Sequence, residues 1–202
     1  MSELKLSCDC GAVTGKIVNA SGSSGNRVVC CCSDCQAFAR YLKTEDKILD
    51  SFGGTQLYQT SQSQVRITTG ENQLQCVRLA PKGLARWHTL CCNTAVANTL
   101  NAKMPFAGII SSFWHTNSST NDSSTKNSAA DEILGPVLAF VQTQHAIGNP
   151  DYPKHSAKFP LSFTLRVIPQ MLAWKLRGKH QPSVFYNSNG KPVTKPIIIN
   201  AD

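Results

Sequence analysis

The chain has 202 residues, 41% of them hydrophobic, with nine cysteines and a formal charge of +8. That length makes one domain, or one domain with an appendage, and it can bury a sizeable core. No apolar run of about 18 residues is present to cross a membrane, and Met1 to Cys8 lack the basic start and apolar stretch of a secretory leader.

Residues 3–7 alternate as an edge strand would. They lead into Cys8-Asp-Cys10-Gly11, a C-x-C pair whose thiols share one face of an extended chain. Gly11 permits a sharp turn, and residues 12–19 read as the returning strand. A Ser/Gly loop over 21–25 separates this hairpin from a strand over 26–32.

That strand carries the stretch around which the rest is organised, Cys30-Cys31-Cys32-Ser33-Asp34-Cys35. Cys30 and Cys32 point to one face and Cys31 to the other. Ser33-Asp34 is turn and helix-start chemistry, and the helix that follows, ending near Lys43, returns Cys35 to the same point. Three thiols at a helix N-terminus favour the thiolate form. They suit Zn²⁺, which takes thiolates tetrahedrally and with three protein ligands keeps a fourth position for water or substrate. Clustered cysteines of this kind belong to a reducing, cytoplasmic setting, where they serve metal binding or catalysis more often than disulfides. Three unrelated buried cysteines, or a redox pair, are the plainer alternatives.

From Ile48 to Leu100 short strands alternate with turn signals, at 55–60, 64–68, 73–79 and 84–90. Cys76 lies in one of them without a partner at ligand spacing and reads as a packing residue. Cys91-Cys92-Asn93 follows. Adjacent residues reach one metal only if the chain turns, and Asn93 tolerates the left-handed backbone this requires. With Cys8 and Cys10, Cys91 and Cys92 would close a four-sulfur site of structural type. His88 is the competing fourth ligand, although an ordinary strand histidine is the reading favoured for it.

Residues 116–128 are almost all Ser, Thr and Asn and read as a loop. Beyond it, Gly135-Pro136 and residues 137–145 read as a helix starting on proline. Pro160 to Arg177 reads as a second helix stopped by Gly178 and kinked or split at Pro169. Residues 183–186 and 191–194 read as a hairpin about Asn187-Ser-Asn-Gly190. Residues 151–202 hold eight Lys and Arg against Asp151 and Asp202, most of the net charge. A solvated basic face is the plain reading; an anionic molecule, an acidic lipid headgroup or nucleic acid are the alternatives, nucleic acid being disfavoured. The apolar residues of 160–177 call for a partner, the β core or another subunit ahead of a membrane surface, which the basic end at Lys175, Arg177 and Lys179 keeps open, so a homo-oligomer is admitted.

The motifs C-x-C-G, C-x-C-x-x-C-Q and Cys92-Asn93-Thr94, with Gly53-Gly54-Thr55 and Arg86-Trp87, resemble the glutathione-dependent formaldehyde-activating enzyme family, which includes the centromere protein V type. The likeness covers residues 3–114. It implies a mainly β fold, a zinc-bound, tent-like arrangement of small antiparallel sheets. It also implies a structural zinc on Cys8, Cys10 and the third motif, and a substrate-accessible zinc on Cys30, Cys32 and Cys35. The family's third motif is C-x-x-C-G-T; here Thr89 takes the place of its first cysteine and Cys91 is extra.

The expected organisation is therefore a zinc-binding β domain over 1–114, a loop over 115–130, and a helical extension over 131–202 packed on the β domain. The expected chemistry is that of a carbon–sulfur lyase joining or parting a small thiol and a small aldehyde, with Cys30, Cys32 and Cys35 as the catalytic set. Arg40 or Arg86 would hold a substrate carboxylate. The contrasting expectation is a non-catalytic, zinc-stabilised module whose basic tail meets a partner protein or anionic surface. Thiol redox sensing by Cys31 or Cys91 is a third.

Overall fold

A computed structural model describes residues 2–115, 131–153 and 155–199; the expected Ser/Thr/Asn loop lies outside them. Among the described residues twelve strands form two sheets. The first joins β1 (Glu3–Ser7), β2 (Thr14–Val18), β5 (Val65–Thr69) and β10 (Trp114–His115) in the order β10-β1-β2-β5. The second has eight strands in the order β11-β3-β4-β9-β8-β7-β6-β12. Its members are β3 (Asn26–Cys30), β4 (Thr55–Thr60), β6 (Leu74–Arg78), β7 (Ala85–Thr89), β8 (Ala95–Thr99), β9 (Ala107–Ile110), β11 (Ala139–Val141) and β12 (Ile197–Ile198).

The larger sheet is the middle layer. One face packs Tyr58, Cys76, Trp87 and Ile109 against Leu4, Leu6 and Ile17 of the smaller sheet. The other face packs Val28, Leu57, Ala95 and Ile110 against Phe38, Ala39 and Leu42 of α1 (Ser33–Leu42). Burial on both faces explains why β3, β7 and β8 show no exposed residue along their length.

The smaller sheet is antiparallel throughout, as expected, while the larger is mixed, which corrects the expectation there. Both parallel pairings, β11 with β3 and β12 with β6, involve strands from the second half of the chain. Such strands return after long excursions, and length is what a parallel connection requires.

Residues 137–145 were expected to be helical and are not. Residues 139–141 form β11, Gln142 is left-handed (φ 58), and Thr143–His145 is a single 3₁₀ turn. The run Val137-Leu-Ala-Phe-Val141 is too short for periodicity to separate helix from strand, and the free edge of β3 settles it.

The second expected helix is present as α3 (Leu161–Leu176), capped by Arg177 with Gly178 left-handed beyond it (φ 65). Pro169 does not split it. It is clamped by Arg166, whose Nε donates to Asn26 Oδ1 at 2.8 Å and Nη2 to the Gly22 carbonyl at 2.7 Å. The expected hairpin is a tight reversal with one bridge, Tyr186 to Pro192, rather than a strand pair. Its Phe185 and Tyr186 lie in the core between the sheets, so the extension contributes to the same core as the first half.

Candidate metal centre

The β1–β2 turn and the β7–β8 turn meet at one end of the sheets. At the first, Gly11 N–H donates to the Cys8 carbonyl (2.9 Å) and Gly11 takes φ +76, a region open to glycine. At the second, Asn93 takes φ 57, as its place after two cysteines requires, and its N–H donates to the Thr89 carbonyl (3.0 Å). Thr94 ties the turns together, its hydroxyl accepting from Asp9 N–H at 3.0 Å. Lys47 of α2 (Glu45–Ile48) pairs with Asp9 at 2.5 Å.

These turns bring Cys8, Cys10, Cys91 and Cys92 together with all four sulfurs within 4.8 Å of one another. Cys8 Sγ lies 3.6 Å from Cys10 Sγ and 3.7 Å from Cys91 Sγ, and Cys91 and Cys92 are 3.7 Å apart. A zinc–sulfur bond of about 2.3 Å sets the edge of a sulfur tetrahedron at about 3.8 Å. The spacing fits a closed four-thiolate site and is far beyond the roughly 2.05 Å of a disulfide. Burial opposes ionisation at Cys92, but hydroxyls of Thr89 and Thr94 and the Cys10 N–H overcome it and bring its pKa to about 6. Burial and the thiols of Cys10 and Cys8 push Cys91 up to about 12.

The second group is Cys30, Cys32 and Cys35, whose sulfurs also lie within 4.8 Å of one another. Cys30 ends β3, Cys32 is the N-cap of α1, and Cys35 sits in its first turn. Cys32 Sγ accepts the Cys35 N–H at 3.4 Å, so the helix start that the sequence supplies also serves the sulfur. Cys30 and Cys35 are buried and Cys32 is half-buried. Hydrogen bonds from Cys30 and Cys35, then the Cys35 N–H and Arg86, hold Cys32 down to about 2, and the same hydrogen bonding raises Cys30. Among the described residues no fourth Cys, His, Asp or Glu joins this set.

Arg86 of β7 approaches from the sheet. It is 1% exposed, and Nη1 donates to Cys35 Sγ (3.8 Å) and Asn98 Oδ1 (3.2 Å). Its Nη2 meets Asp34 Oδ2 at 3.3 Å, and its guanidinium carbon stands 5.7 Å over the Phe38 ring. Three thiolates holding one dication would carry a net single negative charge, and this guanidinium stands beside the group. Asn98 was not singled out in the sequence and Asp34 only as a helix start; their contacts with Arg86 follow only from the packing of α1 on β7 and β8.

The remaining sequence candidates fall away from both groups. His88 is buried with Nδ1 donating to the Thr89 carbonyl (3.2 Å) and its ring edge-on to Tyr41, and it joins neither cluster. Arg40 is exposed in the last turn of α1. Cys76 is fully buried in the core, where burial lifts its pKa to about 11. Cys31 points to the opposite face from Cys30, towards the Tyr152 hydroxyl (3.9 Å), which donates to Asp50 (2.7 Å). A groove of about 500 Å³ between β11 and α3 is lined by none of the seven clustered cysteines. No helix is long and apolar enough to cross a membrane among the described residues.

No curated protein matches the chain. A family model matches residues 1–197, nearly its full length, and the chain belongs to that family, the Family of unknown function DUF6151.

Proposed function

We propose that this member of DUF6151 holds two zinc ions of unequal purpose. Cys8, Cys10, Cys91 and Cys92 would hold a closed structural ion that pins the β1–β2 turn to the β7–β8 turn. Cys30, Cys32 and Cys35 would hold a second, open ion. The observation that carries this is the contrast in donor count, four convergent sulfurs in one group and three in the other. Thiolates are soft donors, which favours zinc over magnesium or calcium.

Cys30, Cys32 and Cys35 would hold a zinc ion whose chemistry, when bound, would be to favour the thiolate form of a substrate thiol. In the reaction proposed, the substrate sulfur would add to the carbonyl carbon of a small aldehyde. A carbon–sulfur bond forms, and the carbonyl oxygen takes up a proton equivalent to the one the thiol gave up. The reverse step parts them, and no oxidant is needed. The chain's own residues prepare the site. Arg86 steadies Cys35 and offsets the anionic charge, Asp34 holds the far side of Arg86, and the Cys35 N–H supports Cys32. The spacing of the cysteines and their likeness to the glutathione-dependent formaldehyde-activating enzymes support a glutathione-like thiol and formaldehyde-like aldehyde as the substrate classes. In that comparison Cys91 would supply the sulfur that Thr89 lacks.

The test compares metal content and thiol–formaldehyde exchange, followed by NMR, in the wild type and in Cys32→Ser. The wild type should carry two zinc ions and accelerate exchange; Cys32→Ser should lose one ion and the acceleration. Acceleration that survives intact in Cys32→Ser would overturn the assignment.

A further inference from the structure

We propose that α3 is a membrane-surface helix that lies on bilayers containing anionic lipid. One side of α3 faces the protein, with Phe163 and Trp174 buried and Gln170 bonded to Asn26. The opposite side carries an aliphatic stripe left exposed by the described residues. Leu161, Leu165, Ile168, Leu172 and Leu176 recur at helical spacing and are 73%, 65%, 60%, 55% and 79% exposed. Phe159, just ahead of the helix, is 53% exposed. A single exposed leucine is ordinary, but a continuous stripe of this length marks a contact surface.

Charge identifies what covers it. From Tyr152 to Asn200 the chain contains no Asp or Glu. Lys158, Lys175, Arg177 and Lys179 are all exposed around the stripe. A second copy laid on this face would bring cations against cations with no carboxylate of its own to offset them. An anionic bilayer satisfies both features, since leucines enter the acyl boundary while lysine and arginine reach the headgroups. With 16 residues and no spanning hydropathy, α3 would rest in the interface without crossing it. The inference uses none of the cysteines, so it stands or falls separately from the zinc reading.

The test is flotation of the full chain with vesicles of phosphatidylcholine alone or mixed with phosphatidylglycerol. Binding should occur on the mixed vesicles, weaken with added salt, and be lost in L165D/L172D. Each basic residue near an anionic surface multiplies binding about fivefold, so K175Q/R177Q/K179Q should lose up to about a hundredfold. Unchanged circular dichroism and metal content would show that the variants remain folded, which their exposed positions favour. Absence of wild-type binding, equal binding to neutral vesicles, or undiminished binding by L165D/L172D would overturn the proposal. So would a dimer that L165D/L172D splits in a protein that ignores vesicles.

Discussion

Phe185→Ala tests whether the second half of the chain completes the core or merely leans on it. Phe185 is fully buried, with its ring 5.2 Å from that of Trp87, among residues of both sheets. Beside it, Thr99 Oγ1 accepts from Trp87 Nε1 at 2.9 Å and meets the Tyr186 hydroxyl at 2.8 Å. Removing a buried phenyl ring costs about 3–5 kcal/mol, through lost transfer energy and the cavity left behind. For a domain of this size each kcal/mol lowers the melting temperature by about 2–4 °C, so a fall of about 6–20 °C is expected. The assay is thermal unfolding at fixed free zinc, followed by tryptophan fluorescence and circular dichroism, whose transitions should coincide. A fall under about 2 °C, or a variant whose two signals separate, would mean that residues 2–115 close their own core and that the packing argument is wrong.

Three further predictions concern the cysteine groups. In metal-free protein, thiolate absorbance should show a step near pH 6 that Cys92→Ser abolishes; a titration without that step would contradict the Thr89 and Thr94 contacts. The sign for stability follows from the same depression. Cys92 stabilises the metal-free fold fully above its ordinary thiol range, and the contribution is lost as pH falls through about 6, so urea midpoints should drop over that interval. Arg86→Met removes a buried cation bonded to Cys35, and partners of metal ligands typically contribute about 10–100-fold in affinity. Chelator competition should therefore show one of the two ions weakened by at least about tenfold and the other unchanged; equal weakening of both would count against the assigned position.

The cysteine groups were legible because their geometry is local. Alternation in a strand fixes Cys30 with Cys32, a helix start fixes Cys35, and a left-handed Asn93 lets Cys91 and Cys92 turn together. The convergence of two remote turns was legible only as an accounting of sulfurs, since nothing in the sequence states that residues 8–10 reach 91–92. Residues 137–145 misled because a short apolar run has no decisive period, and the edge of β3 that recruits it is a tertiary fact. The parallel pairing of 197–198 with β6 is hidden for the same reason. Arg86 carried no sign of its burial, because its role depends on α1 crossing β7. In α3 the periodicity was plain, but two apolar faces compete in the sequence, and packing through Phe163 and Trp174 leaves the all-aliphatic one outside.

The most direct measurement is zinc K-edge X-ray absorption on the purified chain. Two zinc ions per chain should give a mean first shell between three and four sulfurs at about 2.3 Å with a lighter atom filling the balance. Cys32→Ser should raise the mean to four as the open ion departs. A shell dominated by nitrogen or oxygen, or a chain that takes up no zinc, would contradict the account.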